Sequence, residues 1–276
     1  MSDSKAINEI LAGLEAGQVV PYLGCGVWAT AATPPAHPTD HLQLVAKLTE
    51  KVTVSHKLRK NLTGAAQYIE NFKHRKTLVG LMKAAFEGKS SPAEIHEFIA
   101  SLHKLPLVVD AWYDNAMQLA LANHPNWGQV QGVSQAEHHG EWVRYYTSQG
   151  ELTDAAAAAN WQTLLYRPLG SASPANNYIV SDSDYVEILT EIDIQTPIPE
   201  LFQQRRVGKN FLFIGCRFGY QLDRIFAKQI MKRSSDHHWA LIEGELTKNE
   251  ARFLKEQNIT RLDLPINALM DLTVAA

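Results

Sequence analysis

The sequence predicts an α/β fold built on a doubly wound parallel sheet, with one helical insertion. Short apolar segments alternate with amphipathic ones along most of the chain, as expected when strands and helices alternate. Residues 210–214 are apolar on both faces of a strand, which is typical of a parallel sheet covered on both sides. The strand at 18–23 runs into a Gly-x-Gly turn, Gly24-Cys25-Gly26. In Rossmann-like sheets such a turn lets the backbone approach a nucleotide phosphate closely.

Hydrophobic periodicity assigns the elements in chain order. The predicted helices are 4–16, 65–72, 77–86, 93–102, 113–122, 182–192, 222–232 and 247–257. The predicted strands are 18–23, 105–109, 161–167, 178–180, 210–214, 239–242 and 259–264. Pro21 has no amide hydrogen for a sheet ladder, so either its position is unpaired or the first strand is shorter.

The domain organisation follows from these elements. We expect a single α/β domain over residues 1–276, with a helical insertion at about 35–103 and a loop-rich insertion at about 123–160. The second insertion mixes glycine, histidine, glutamine and aromatic residues without a clear period. It is expected to lie over the crevice at the carboxyl ends of the strands.

Composition excludes several classes of protein. The chain has 276 residues, 45% of them hydrophobic and 20% charged, as in an ordinary globular protein. A net charge of -3 argues against a general nucleic-acid binder. No apolar run approaches the roughly 18 residues of a membrane span, and the N-terminus lacks a signal-peptide pattern. We therefore expect a cytoplasmic protein without membrane or nucleic-acid partners, whose two cysteines do not form a disulfide scaffold.

Taken in order, five segments resemble the sirtuin-like family, in particular the bacterial sirtuin-like domains. Residues 19–28 (VVPYLGCGVW) are similar to the family's VVPFLGAG strand and Gly-Ala-Gly-x-Ser turn. Residues 110–114 (DAWYD) match Thr-Thr-Asn-Tyr-Asp, and residues 167–170 (RPLG) match Lys-x-His-Gly. Residues 181–185 (SDSDY) match a Thr/Ser-x-x-Asp-Tyr helix start, and residues 211–223 match FLFIGYSxxD. The resemblance covers most of the chain.

The resemblance implies a site for NAD or ADP-ribose at the carboxyl ends of the strands. Active members of the family cleave the bond between nicotinamide and ribose, using an Asn and a His. Here the expected Asn aligns with Trp112, the expected His with Leu169, and the Ser of the first turn with Trp28. Because neither tryptophan nor leucine accepts a proton, the resemblance implies a scaffold whose usual catalysis is lost or replaced. The residues expected to hold the cofactor are Gly24, Cys25, Gly26, Trp28, Trp112, Asp114, Gly215, Cys216 and Arg217.

The cysteines and tryptophans of this set each allow two interpretations. Cys25 and Cys216 both follow a glycine at the end of a predicted strand, so their thiols are either a reactive or metal-binding pair or small buried side chains. Trp28 and Trp112 either stack on a flat ligand or fill the space that NAD would occupy. Arg217 lies in the last turn and is either a phosphate contact or a surface charge.

Histidines supply the candidates for a replacement base. His138 and His139 lie in the second insertion and are the predicted catalytic residues, because imidazole titrates near neutrality. They are otherwise a solvated pair in a loop. His37 and His41 flank the first loop, where helix capping or solvent exposure is the expected role. No Cys-x-x-Cys spacing predicts a metal site.

Three hypotheses about function remain open at this point. The leading one is a catalytically altered sirtuin-like domain that binds NAD, ADP-ribose or a related nucleotide as a sensor or binding module. The second is a glycohydrolase that cleaves NAD with His138 or His139 as base. The third is a metal or redox-cofactor protein that uses Cys25 and Cys216.

Overall fold

A large, mostly parallel sheet forms the centre of the molecule, as a computed structural model that describes residues 3–88, 91–194 and 196–271 shows. The strands of the main sheet are β1 (Val19–Leu23), β2 (Leu107–Asp110), β3 (Trp127–Gly132), β4 (Val143–Thr147), β5 (Leu152–Thr153), β6 (Thr163–Arg167), β9 (Asn210–Ile214), β10 (His238–Leu241) and β11 (Ile259–Leu262). They lie in the order β11-β10-β9-β1-β2-β6-β3-β4-β5. All neighbours from β11 to β3 pair in parallel, whereas β4 and β5 are antiparallel. The predicted doubly wound, Rossmann-like fold is confirmed.

Helices cover both faces of this sheet. They are α1 (Asp3–Glu15), α2 (His41–Thr49), α3 (Leu62–Lys73), α4 (Arg75–Phe86), α5 (Glu94–Ser101), α6 (Ala116–Ala120), α7 (Ala155–Ala158), α8 (Asp182–Ile192), α9 (Glu200–Arg205), α10 (Gln221–Met231), α11 (Lys248–Glu256) and α12 (Ala268–Asp271). Short 3₁₀ turns occupy Cys25–Thr30, His56–Lys60 and Leu121–Asn123. A separate ribbon pairs β7 (Gly170–Ser171) with β8 (Asn177–Tyr178).

The apolar side chains divide into three clusters. Alternate residues of the central strands point to opposite faces, so Val20 and Phe213 pack with α8–α11 while Val19 and Ile214 pack with α1 and α5. The third cluster joins α2, α3 and α4 to the segment that follows β2, through Trp112 and other aromatic residues. Most of the expected helical insertion at 35–103 is therefore packed on one end of the sheet, and its residues 89–90 lie outside the described residues.

The segment 123–160, expected to be rich in loops, contains β3, β4 and β5 instead. Gln129 and Gln131 interrupt the apolar pattern of β3, yet both are fully buried. The amide of Gln131 donates to the Ser173 carbonyl, and its oxygen accepts from Asn177 at 3.0 Å. Neighbouring loops therefore provide the polar partners that allow Gln131 to be buried inside the sheet.

Pro21 is accommodated inside a central strand. It lies in register with Leu212 of β9, whereas the ladder between β1 and β2 begins one residue later, at Tyr22. The Pro21 nitrogen, which has no hydrogen to donate, therefore lies where the ladder with β2 has not yet begun. This is the first of the two alternatives that the sequence left open, in which the position of Pro21 is unpaired.

Candidate functional site

Two turns meet where the order of the sheet reverses. From β1 the chain adds β2 and β6 on one side, and β9, β10 and β11 lie on the other side. The turn after β1 carries Cys25 and the turn after β9 carries Cys216. In open α/β sheets, ligands bind beyond the carboxyl ends of the strands at such a switch point.

The glycines of these turns hold the two turns together. The amides of Gly24 and Gly26 donate to the carbonyls of Ile214 and Gly215, each at 2.9 Å. Gly215 has a positive φ of 65°, and a Cβ there would lie 2.2 Å from the Val27 nitrogen, so only glycine fits. The sequence analysis expected these glycines to let the backbone approach a phosphate closely. In the structure the amides of Gly24 and Gly26 bind the neighbouring turn.

A cavity of about 550 Å³, open space at its mouth included, lies directly beyond these turns. We call it the switch-point cavity. It is lined by Tyr22, Gly24, Cys25, His41, Ala111, Trp112, Leu169, Tyr185, Gly215, Cys216, Arg217, Phe218, Leu222, Asp223 and Phe226. Its walls are mainly aromatic and apolar with a few polar groups, as in many small-molecule sites.

Both cysteines line this cavity in the protonated form. Burial raises the pKa of the Cys25 thiol to about 12 and that of Cys216 well above its ordinary value. Reactive and metal-binding cysteines need the thiolate, which these surroundings disfavour. Among the described residues, no group of three or more His, Cys, Asp or Glu side chains has the geometry to hold a metal ion. The arrangement therefore favours small cavity-lining thiols over a redox or metal pair.

His41 and Asp223 are two titratable groups of this cavity that the sequence analysis did not assign to it. Asp40 accepts from the Gln43 amide at 2.8 Å and so begins α2, which fixes His41 as the first helical residue. Burial lowers the pKa of His41, although the charge of Asp40 acts to raise it. The ring is therefore neutral at pH 7. Asp223 lies in the first turn of α10, and burial raises the pKa of its carboxyl to about 7, against the lowering effect of Arg224.

A second cavity adjoins the first along these two residues. It encloses about 820 Å³, open space included, and we call it the outer cavity. It shares His41, Tyr185, Leu222 and Asp223 with the switch-point cavity and adds Lys60, Asn61, Leu62, Thr63, Tyr220 and Gln221. The two cavities therefore share part of their walls.

Arg217 lies at the rim of the switch-point cavity in an ion pair with Glu250. Its Nε and Nη2 donate to the Glu250 carboxylate at 2.7 and 3.0 Å, and Nη2 also donates to the Glu245 carbonyl. The hydrogen bonds from Arg217 and from Thr247 lower the pKa of Glu250 to about 2. Within the described chain the Nη1 group has no hydrogen-bond partner, and the side chain is 52% exposed. One edge of the guanidinium is therefore available to an anionic ligand.

Three of the predicted cofactor residues support the cavity without lining it. Trp28 is buried, and its Nε1 donates to Asp114 at 2.9 Å. The other Asp114 oxygen accepts from the Ala116 amide and begins α6. Gly26 packs against the Gly215 backbone. Trp28 fills the core beside His37 and His96, because the buried Asp114 carboxylate needs its donor there.

The predicted catalytic pair lies elsewhere. His138 is half-buried and His139 is exposed in the turn before β4, and neither lines the switch-point cavity or the outer cavity. His138 is near Glu141, and His139 is near Glu187 of α8. The two histidines lie in the connection between the antiparallel strands β3 and β4, and this connection contributes no residue to either cavity. The structure thus corrects the location expected for these two histidines.

Trp112 and Leu169 both form walls of the switch-point cavity. Trp112 is buried, its Nε1 donates to the Pro38 carbonyl at 3.0 Å, and its ring lies 5.5 Å from that of His41. Leu169 lies two residues after the end of β6 and is half-buried. The two residues leave the cavity open while making two of its sides apolar.

The fold and this cavity define an α/β protein of the doubly wound class, with a pocket at its topological switch point. A sequence profile described as the SIR2-like domain matches residues 106–262, more than half of the chain. The chain therefore belongs to the SIR2-like domain family.

A solved structure described as "Structural Basis for the Mechanism and Regulation of Sir2 Enzymes" aligns with 99% of this chain and 95% of its own chain, at 13% identity and a TM-score of 0.42. The family assignment depends on the profile and not on this distant likeness. A search of curated proteins finds no match. In the described residues no helix is long and apolar enough to cross a membrane.

Proposed function

We propose that this chain binds NAD, ADP-ribose or a related nucleotide in the switch-point cavity, and that it acts as a binding or sensing module. The observation that carries the proposal is an open, aromatic-walled cavity at the switch point of a SIR2-like domain. Arg217 offers one free guanidinium edge at the rim for a phosphate, and Trp112 offers an aromatic wall for a flat ring. The outer cavity adjoins this one along His41 and Asp223 and adds further polar groups such as Lys60 and Asn61.

Calorimetric titration with NAD and with ADP-ribose tests this proposal. In an Ala111→Phe variant the new ring occupies the cavity, and we expect the affinity to fall at least about tenfold. Ala156→Phe is the matched control, because Ala156 is exposed on α7, away from the cavity. Absence of binding to the wild-type protein at millimolar nucleotide, or equal affinity in both variants, contradicts the proposal.

Hydrolysis of the nicotinamide–ribose bond is the second candidate function, with His41 as the base. His41 lines the cavity, is neutral near pH 7 and makes no hydrogen bond within the described residues. In this reaction a water oxygen bonds to the anomeric carbon as the carbon–nitrogen bond breaks. The electron pair of the broken bond returns to the pyridinium ring, and the water proton passes to the imidazole.

Release of nicotinamide separates the two functions. A hydrolase releases it continuously, whereas a binding module binds the nucleotide and releases none. If the wild type is active, His41→Gln lowers turnover by about a hundredfold or more and leaves nucleotide affinity within a few fold. A His138→Ala, His139→Ala double variant is the control and keeps full turnover. If the double variant loses turnover and His41→Gln keeps it, the base is His138 or His139, as the sequence predicts.

A further inference from the structure

Asp223 is an acidic side chain without a partner at the centre of the site. It is the carboxylate that lines the switch-point cavity, and it lines the outer cavity as well. Among the described residues it accepts no hydrogen bond and forms no ion pair, unlike Asp114, Asp184 and Glu250 nearby. A carboxylate held in this way is stabilised only by what enters the cavity.

The groups that face Asp223 do not neutralise it. Burial keeps Tyr22, Tyr113, Tyr185, Cys25 and Cys216 protonated by raising the pKa of each. His41 is uncharged at pH 7, since burial lowers its pKa.

Three cations lie near Asp223, and none of them forms an ion pair with it in the described residues. Lys60 lines the outer cavity together with Asp223. Arg224 donates to the carbonyls of Phe218 and Gly219, and Arg217 donates to Glu250. No described cation therefore lies within ion-pairing distance of Asp223.

The walls of the cavity suit a cation as well. Tyr22, Trp112, Tyr185, Phe218 and Phe226 all line it. Aromatic faces attract cations through the ring quadrupole, and this attraction is strongest where water is excluded. A flat ring with a delocalised positive charge stacks on such walls and provides the missing partner for the carboxylate.

We propose that the switch-point cavity selects ligands with a flat, delocalised cationic ring, and that Asp223 is the counter-ion. This inference rests on the proposed function to the extent that the ligand is a nicotinamide nucleotide. It then predicts that the oxidised pyridinium form binds more tightly than the reduced, neutral ring or than ADP-ribose, which has no ring at that end. The role of Asp223 differs from that of a base, because it holds charge and moves no proton.

The preference has a defined dependence on pH. Below about pH 7 the carboxyl is protonated and offers no charge, so a cation gains little from it. As pH rises through that value the carboxylate forms, and affinity for a cation rises. A neutral ring of the same shape shows no such gain.

Two small probes test charge alone, namely 1-methylnicotinamide, which is a cation, and nicotinamide, which is neutral. At pH 8 we expect the cation to bind at least about tenfold more tightly, and at pH 6 the difference to shrink. Asp223→Asn removes the difference at pH 8. Asp182→Asn is the control, because Asp182 is exposed in the first turn of α8 and leaves the preference intact. Equal affinity for both probes, or no binding of the cation at millimolar concentration, overturns the inference.

Titrations with the oxidised and reduced dinucleotides and with ADP-ribose separate this inference from the proposed function. Tighter binding of the oxidised dinucleotide supports both charge selection and nucleotide binding. Equal binding of all three overturns charge selection and leaves nucleotide binding in place. Binding of 1-methylnicotinamide with no binding of any nucleotide supports charge selection and contradicts the proposed function.

Discussion

Arg167 stabilises the site from beneath, although its side chain is completely buried. Its guanidinium lies 3.3 Å from the Asp110 carboxylate and donates to the carbonyls of Trp112 and Asp114. Burial raises the pKa of Asp110 while Arg167 lowers it, so the two charges depend on each other. Through these contacts one side chain fixes the segment that carries the Trp112 wall.

Removal of this guanidinium is expected to be costly. Arg167→Met leaves a buried carboxylate and two carbonyls without their donor, so we expect the free energy of unfolding to fall by about 3 kcal/mol or more. Arg144→Met is the control: Arg144 pairs with Glu141 on the surface, and its loss costs less than about 1 kcal/mol. Urea denaturation of both variants measures the difference. Equal losses indicate that Arg167 has no special role in holding the segment.

The residues that line the cavity differ in how well the sequence predicts their positions. Gly24, Cys25, Gly215, Cys216, Arg217 and Trp112 line the cavity as their positions after strands predict. His41 gives no such signal, because it follows a long loop and belongs to a helix that reaches the cavity only through packing of the helical cluster. His138 and His139 formed the more conspicuous pair, yet side-chain direction there depends on the β3–β4 pairing, which the sequence pattern did not reveal.

At the scale of elements, Arg75 connects the helical part of the molecule to the sheet. It lies at the start of α4 and contacts Asp184 of α8 at 2.9 Å, Glu70 of α3 at 3.4 Å and Glu137 of the β3–β4 connection at 3.2 Å. It also donates to the Tyr178 carbonyl at 2.6 Å. Four separate parts of the chain therefore meet at one guanidinium.

We expect Arg75→Met to loosen this junction. The substitution leaves the buried Asp184 carboxylate without its cation, and the free energy of unfolding should fall by about 3 kcal/mol. Hydrogen exchange should increase in α2, α3 and α4 more than in β1 and β9, because the helical cluster loses its tether. Lys76→Met, at the exposed next position of α4, should change neither quantity measurably. Uniform exchange throughout the molecule after Arg75→Met argues against a local tether.

The predicted elements also differ in how much of them the sequence reveals. β9 is apolar from Phe211 to Ile214 and pairs on both edges, so its pattern alone identifies it. β3 has the sequence WGQVQG, and its stability depends on loops far along the chain, such as the one that contains Ser173. A pattern within one segment cannot show such partners, and for this reason β3, β4 and β5 appear only in the structure.

For the whole molecule, the cavity lowers the stability of the fold. Asp223 has an ordinary pKa near 3.9 in an unfolded chain and about 7 in the folded protein. Between these values the folded state holds a proton that the unfolded state has lost, so stability falls as pH rises from 4 to 7 and stays lower above 7. An unpartnered carboxylate that costs stability at neutral pH is a common feature of ligand sites, where function and stability conflict.

Asp223→Asn should therefore stabilise the protein at high pH. We expect the variant and the wild type to unfold with similar free energies near pH 4, and the variant to be more stable by on the order of 2 kcal/mol at pH 8. His41 has the opposite dependence, because a lowered histidine pKa makes stability rise with pH, but it is present in both proteins and cancels in the difference. Urea denaturation at several pH values measures that difference. If the difference in unfolding free energy is constant from pH 4 to 8, the Asp223 carboxyl in solution is either exposed to water or paired. The proposal that Asp223 is the counter-ion of a cationic ligand then loses its physical basis.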